Sequence, residues 1–433
     1  MRKGQHSSRT SRSISRGSLV DRKFAGYLGQ SSSISSASSV AQVCITWFVY
    51  YYTQSAIDVG IVAIVNSIAT VVATLPAGSL VDRFNRGVLL VVSSSIAAAI
   101  FAFLAWFTRF AGFNLFILLP LAAAWSASME LLRSTNSSIL PDLVAPSDLL
   151  KANGFNSSLT STIGSVSSAL AGGIIVVFGI IDGFLYGAAG YAASAVLSIL
   201  TIYPFFRQYH GRSADGGKGA RRVLADLKEG FRWLIHERGL WQLTLSAGLF
   251  NFFLVMALSY LVVYVAAGMH AGSLVYGIVV AMLAAGYVLG SLVSSFLRLL
   301  AQAGKFWILI YGMGTGLTLI IMGLYPDVLT AIICALTIGT CSGVCGNIWI
   351  TSAQNIVPSE MRGRYFAVDG LFSSIGGPPA IAAGSIVIST LGVGPTFAIA
   401  GVLMFAFATL FLSMRSLWHL DGRSREIVRT SDL

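Results

Sequence analysis

Apolar residues come in long unbroken runs along this chain, not in the alternation of half-buried strands. No Asp, Glu, Lys or Arg occurs between Lys23 and Asp58, Asp58 and Asp82, or Arg86 and Arg109. The same holds for Arg109–Glu130, Lys151–Asp182, Asp182–Arg207, Arg238–Arg298, Lys305–Asp327, Asp327–Glu360 and Asp369–Arg415. A membrane-spanning helix needs roughly 20 mostly apolar residues. The shorter gaps hold one span each, and Arg238–Arg298 and Asp369–Arg415 hold two with a turn. Twelve spans are predicted: 27–53, 59–80, 88–108, 113–134, 155–179, 183–206, 241–267, 273–297, 305–325, 328–352, 366–391 and 394–415. A spanning β-barrel would need short alternating segments, so the expected fold is an all-α integral membrane protein.

Composition agrees. Of 433 residues, 55% are hydrophobic and 10% charged, against about a quarter charged in soluble domains. Lys and Arg decide the orientation. With both termini cytoplasmic, the first tail carries seven of the 28 and the other inside segments carry twenty, eight of them within 207–238. Only Arg109 falls outside. The net charge of +11 is thus a topology signal for a multi-pass plasma-membrane protein, and no nucleic-acid partner is needed to explain it. The expected organisation is a disordered basic tail (1–24), a six-helix bundle (25–206), a cytoplasmic linker (207–240), a second six-helix bundle (241–415) and a tail (416–433). In the linker, Leu224, Leu227, Phe231, Leu234 and Ile235 share one face of an amphipathic helix, expected to lie on the membrane surface.

The two bundles are alike. At an offset of 212 residues, "GSLV" at Gly78 recurs at Gly290, Pro146 matches Pro358, and Gly164 and Gly172 match Gly376 and Gly384. Gly60 pairs with Gly277 at a slightly larger offset. Parallel six-span repeats imply a pseudo-twofold axis along the membrane normal, with a cavity between the halves near the midplane.

The turn after span 2, "GSLVDRFNRG", resembles the Gly-x-Leu-x-Asp-Arg-x-Gly-Arg signature of the major facilitator superfamily. Gly78, Leu80, Asp82, Arg83 and Arg86 match, and Asn85 replaces the second Gly, at a position where Asn can take left-handed backbone. The resemblance implies the major facilitator fold, with Asp82 seated on the amino end of span 11 near Tyr365. Arg83 and Arg86 then lie at lipid head groups or pair with Asp369 or Asp142, latching the halves on the cytoplasmic side. Plain positive-inside anchoring is the alternative. "ILPDLVAPSDLLKANGFNSS" and "IVPSEMRGRYFAVDG" resemble loops of drug and siderophore exporters in the same superfamily. In span 5, Gly164, Gly172 and Gly173 fit a proton-antiporter motif, but Ser168 and Ala169 replace its Gly-Pro pair.

Charge within a span is the strongest functional pointer in such a sequence. Glu130 and Arg133, three apart in span 4, share a helix face. Either Glu130 carries a proton while Arg133 tunes it or meets an anionic cargo group, or the two form a structural pair with Arg133 reaching toward lipid phosphates. Span 1, "GQSSSISSASSVAQVC", carries seven serines with Gln30 and Gln42, and should line a cavity. Asn66, Asn251, Tyr260, Asn347 and Gln354 are further polar candidates, each of which could equally be packing glue. Cys44, Cys334, Cys341 and Cys345 lie in spans and suit packing better than metal; none of the five His falls within a span. No phosphate-cradling loop and no catalytic constellation is present. The expectation is a monomeric, cofactor-free, non-enzymatic secondary transporter. It would export a small amphipathic compound against protons by alternating access, with membrane lipids as its surroundings. An importer or uniporter of a small metabolite, and a non-transporting sensor or scaffold, are the alternatives.

Overall fold

The computed structural model describes residues 22–145, 148–206, 219–296, 303–358 and 361–414. Both tails, apart from residues 22–24, and the first part of the linker lie outside the described residues, as do Glu360 and the side chains of Asp82 and Gln354. Among the described residues every regular element is helical. Eleven helices among the described residues are long and apolar enough to cross a membrane. The Ser-rich span 1 (Arg22–Thr53) is a further 32-residue helix, packed against spans 5 and 6 inside the bundle.

Span 2 is Ala56–Arg83, span 3 Arg86–Ala111, span 4 Leu115–Leu143 and span 5 Leu149–Val177. Span 6 runs from Ile180 through a π-helical stretch, Ser198–Ile202, to Phe206. A linker helix, Gly219–His236, precedes span 7, which starts at Arg238, is interrupted at Ser259 and Tyr260, and ends in a π segment, Tyr264–Gly268. Span 8 is Ser273–Phe296, span 9 runs from Ala303 to Leu324 around a π segment at Ile308–Gly314, and span 10 is Val328–Ile356. Span 11 joins Arg362–Ile375 to Gly377–Leu391, and span 12 is Val393–Leu412. Span 4 runs nine residues past its predicted end, through Pro141. Its polar last turns outlast the apolar run from which the boundary was inferred.

The turns follow their residues. Ser55 caps span 2 by accepting from the Asp58 amide, and Asp327 caps span 10 by accepting from the Thr330 amide. The Thr330 bonds hold the Asp327 carboxylate below its ordinary range. Gly112, Gly179 and Gly392 make the turns after spans 3, 5 and 11 with φ of 76°, 95° and 89°, a region closed to most side chains. Asn85 departs from expectation. Its φ is −62° and ψ 120°, and its Oδ1 accepts from the Gly87 and Val88 amides. The turn holds as a side-chain N-cap, so left-handed backbone is not needed.

The linker helix does not simply lie flat. Leu234 is fully buried while Ile235 is exposed, although both fall on the expected apolar face. Glu229 pairs with Arg364 at 2.6 Å, and Phe231 stacks on Phe372. The helix thus docks on the start of span 11.

Candidate functional site

The loop at 84–85, residues 144–145 after span 4, the linker helix and the start of span 11 lie at one end of the bundle, here the basic face. At the opposite face spans 1–6 meet spans 7–12 directly. Spans 5 and 8 cross so closely that a Cβ on Gly277 would lie 2.6 Å from the Ser168 carbonyl oxygen, and one on Gly172 would strike the Ser273 carbonyl. The Ser273 hydroxyl donates to the Gly172 carbonyl at 3.2 Å. Trp47 stacks on Tyr276 at 6.1 Å. On the other flank, Tyr260 is fully buried between Gly60 and Gly384, donating to the Ile381 carbonyl at 2.7 Å. The two equivalent glycine seams therefore differ: one is closed backbone to backbone, the other through a tyrosine ring.

Toward the basic face the halves part around a cavity of about 950 Å³. It runs from Gln42 and Asn66 at mid-span to Tyr27, Asn136 and Asn156. Spans 1, 4, 7 and 10 line it, and so do spans 2, 5 and 8, because the parted halves expose the flanking helices as well. From the first half come Ser31, Ser35, Ser38, Ser39, Asn66, Ser67, Thr70, Trp125, Ser126, Glu130, Arg133, Asn156 and Thr160. From the second come Leu254, Leu258, Val280, Leu283, Ala284, Tyr287, Ile338, Gly339 and Ser342. One wall is polar and the other mostly apolar.

Glu130 and Arg133 both face this cavity. The guanidinium donates twice to the carboxylate, at 3.0 and 2.7 Å, a bidentate pair. Glu130 is 5% exposed and the Arg133 side chain 74%. The carboxylate is sheltered while its partner is open to the cavity. A lone charge at this depth costs about 2.5–3.5 kcal/mol on insertion scales, and the pair offsets part of that. Gln42 lines the cavity and donates to Thr46 at 3.3 Å. Asn66 accepts from the Ser126 hydroxyl at 3.0 Å.

The other sequence candidates fall elsewhere. Asn251 donates to the Ser373 carbonyl at 3.4 Å, between spans 7 and 11. Asn347 bonds Ser294 and the Ser291 carbonyl at 2.6 and 3.1 Å, joining spans 8 and 10. With Tyr260, these tie helices to one another outside the cavity lining. In span 5, a Cβ on Gly164 would lie 3.1 Å from the Ser35 and Ser39 hydroxyls, Gly172 makes the crossing, and a Cβ on Gly173 would only reach Leu274 at 3.9 Å.

In the motif turn, Arg86 pairs with Asp142 and donates to the Ser138 carbonyl at 2.8 Å, both within the first half. Arg83 is exposed, and the half-buried Asp369 sits beside Trp349 with no ion pair among the described residues. A Cβ on Gly78 would meet nothing within 4 Å. The Asp82 side chain and residues 359 and 360, on which the expected seat at the start of span 11 turns, lie outside the described residues. Sequence inspection missed Trp125, Asn156, Thr160, Leu254, Leu258 and Tyr287. Asn156, Thr160, Gly164 and Ser168 recur every four residues, a one-face signal that was there to be read.

Two bundles closed at one face around a cavity reachable from the other have the architecture of a membrane transporter. The family model of the Major Facilitator Superfamily matches residues 27–380, and the chain belongs to that family. Two proteins named enterobactin exporter EntS, from Citrobacter koseri and Shigella dysenteriae serotype 1, are each 25% identical over 333 residues, 74% of both chains. Among solved structures, a peptide transporter POT in complex with sulfate superposes with a TM-score of 0.71 at 12% identity, covering 93% of this chain and 96% of that one. A bacterial homologue of the human lysosomal transporter Spinster, inward-facing and unoccupied, gives 0.67 at 15% identity, covering 93% and 98%. A point mutant of the nucleoside transporter NupG gives 0.70 at 14%, covering 90% and 99%. These structural likenesses concern the fold.

Proposed function

We propose that this transporter exports a small amphipathic organic compound from the cytoplasm across the plasma membrane, driven by protons entering in exchange. The Glu130–Arg133 pair in the wall of the cavity carries this reading. Ionised Glu130 engages Arg133 through both oxygens. A proton on Glu130 takes up one of those oxygens and cancels the carboxylate charge that a donor-bearing cargo group would engage. Cargo and proton then compete for one site, which is the logic of antiport. The exporter relatives support efflux, and a siderophore is the first cargo to try. The Lys and Arg distribution supports a cytoplasmic basic face, so the cavity is drawn as cytoplasm-facing. Asp82, with Arg83, Arg86 and Asp369 around it, latches the halves when the cavity faces outward. The two six-helix bundles, 25–206 and 241–415, rock against each other about the seams at Gly172 and Tyr260.

Proteoliposomes loaded with an amphipathic dye or a catecholate siderophore test this. An imposed pH gradient should speed loss of cargo from the vesicles at least several-fold. Glu130→Gln keeps the shape and cannot ionise, so it should retain downhill movement and lose the response to the gradient. Undiminished gradient-driven transport in that variant sinks the proton role. Accelerated accumulation in place of loss, in vesicles of defined protein orientation, sinks the direction.

A further inference from the structure

Between spans 1, 5 and 8 a side chamber of about 290 Å³ adjoins the main cavity. Ser35, Ser39, Thr160, Ser168 and Tyr287 line both. Ser161, Ser165, Ser168 and Gly172 fall on one stripe of span 5. Gly172 is where span 8 crosses, and Ser161, Ser165 and Ser168 line the space left between the two helices. Apart from the Tyr287 phenol, nothing in the lining ionises.

Hydrogen-bond direction decides what such a chamber can hold. Ser35 donates to the Thr160 carbonyl at 2.6 Å, and Thr160 to the Asn156 carbonyl at 2.8 Å. Ser165 donates to the Ser161 carbonyl at 2.9 Å, and Ser168 to the Gly164 carbonyl at 3.0 Å. A carbonyl oxygen cannot donate, so these directions are fixed, and a hydroxyl has one proton to give. All four hydroxyls therefore offer a ligand only lone pairs. Ser165 and Ser168 are 8% and 4% exposed, so little water competes there. At the buried Ser165 and Ser168 a ligand group that only accepts would meet lone pairs and lose its own water, whereas the less buried Ser39, Ser161 and Tyr287 hydroxyls can donate or accept. A ligand O–H would be satisfied.

We propose that this chamber is a subsite for a hydroxyl-bearing ring of the cargo, read through the ring's O–H donors. An ammonium group fits less well, because no carboxylate lines the chamber to balance its charge and the adjoining cavity holds the exposed Arg133. The proposal rests on the cavity being the cargo site and names the chemistry of one end of that cargo. The apolar wall of Leu254, Leu258 and Leu283 takes the other end.

The test uses the full-length protein in lipid nanodiscs and two matched probes, propyl gallate and propyl 3,4,5-trimethoxybenzoate. O-methylation keeps the ring, the ester and every acceptor oxygen but removes all three O–H donors. Titrations followed by tryptophan fluorescence should show the gallate binding roughly tenfold or more tighter, the effect of one or two lost hydrogen bonds. The double variant Ser165→Ala, Ser168→Ala should bring that ratio close to one while trimethoxybenzoate affinity is unchanged, which also shows that the variant is folded. If it is not folded, Ser35→Ala gives the same reading with a smaller drop. Equal affinities in the unmodified protein, no saturable gallate binding, or a ratio that survives the substitutions overturns the proposal. Equal probe affinities beside intact gradient-driven transport would remove the subsite alone. Intact donor selectivity without gradient-driven transport would remove the antiport reading alone.

Discussion

The two halves of the bundle present opposite chemistries to one cavity. Spans 1, 2, 4 and 5 contribute serines, amides and the Glu130–Arg133 pair, whereas spans 7, 8 and 10 contribute mainly Leu, Val and Ile. Their packing differs as well. In the second half, spans 8 and 10 form a glycine seam: a Cβ on Gly286 or Gly290 would strike the carbonyls of Leu336 or Thr340. One on Gly339 or Gly343 would strike those of Leu283 or Tyr287. Such small-residue seams let backbones touch. Gly78, the repeat partner of Gly290, faces open space. Two segments with traces of common sequence have therefore taken different work. The first half supplies the polar wall and carries the motif turn, the side on which the proposed function puts cargo recognition, while the second supplies a mostly apolar wall.

The largest effect should come from filling the glycine seam. Gly339→Leu puts a side chain into the Leu283 backbone, which cannot swing aside. Overpacking of this kind costs about 1–3 kcal/mol or more, and here it should abolish the monodisperse peak on size-exclusion chromatography. Gly78→Leu should leave that peak and the thermal midpoint unchanged, since nothing lies near. If the latch forms in the other conformation, the added side chain obstructs it, and gradient-driven turnover falls several-fold while cargo binding persists. Similar melting of both variants would end the contrast between the halves.

Next in size is the seam at the opposite face. Tyr260→Phe removes a fully buried hydrogen bond to the Ile381 carbonyl, a loss of about 1 kcal/mol. Thermal unfolding in detergent should show a small drop. Because the ring still fills the space between Gly60 and Gly384, Tyr260→Ala should cost more. An Ala variant as stable as Phe would mean that the ring does not hold this seam closed.

The spans were legible because lipid forbids unpaired charge, so gaps between charges mark helices directly. The span 4 boundary was not, since a helix continues past the membrane wherever its backbone bonds permit. Glu130 and Arg133 were legible because spacing of three on a helix fixes a shared face. Asn251, Tyr260 and Asn347 were ambiguous for the converse reason. A polar side chain in a span must avoid lipid, but a neighbouring carbonyl shelters it as well as a cavity does. Asn85 was misjudged because two devices make the same turn, a left-handed residue or a capping side chain. The glycine spacing on spans 8 and 10 is visible in the sequence, but the pairing of those two helices with each other needed the fold.

The smallest predicted effect separates polar groups of the two halves that look alike in sequence. Asn66 lines the cavity and holds the Ser126 hydroxyl. Asn251 makes one long bond, 3.4 Å, away from the cavity lining. Asn66→Ala should weaken binding of a cargo or of the gallate probe a few-fold, through the lost amide and the released Ser126 proton. Asn251→Ala should leave affinity unchanged and lower stability by about 0.5–1 kcal/mol, the net value of an ordinary hydrogen bond. Titration and thermal unfolding of both variants decide the matter. An affinity change confined to Asn251→Ala would place cargo against the second half and reverse the assignment of recognition to the serine-lined wall.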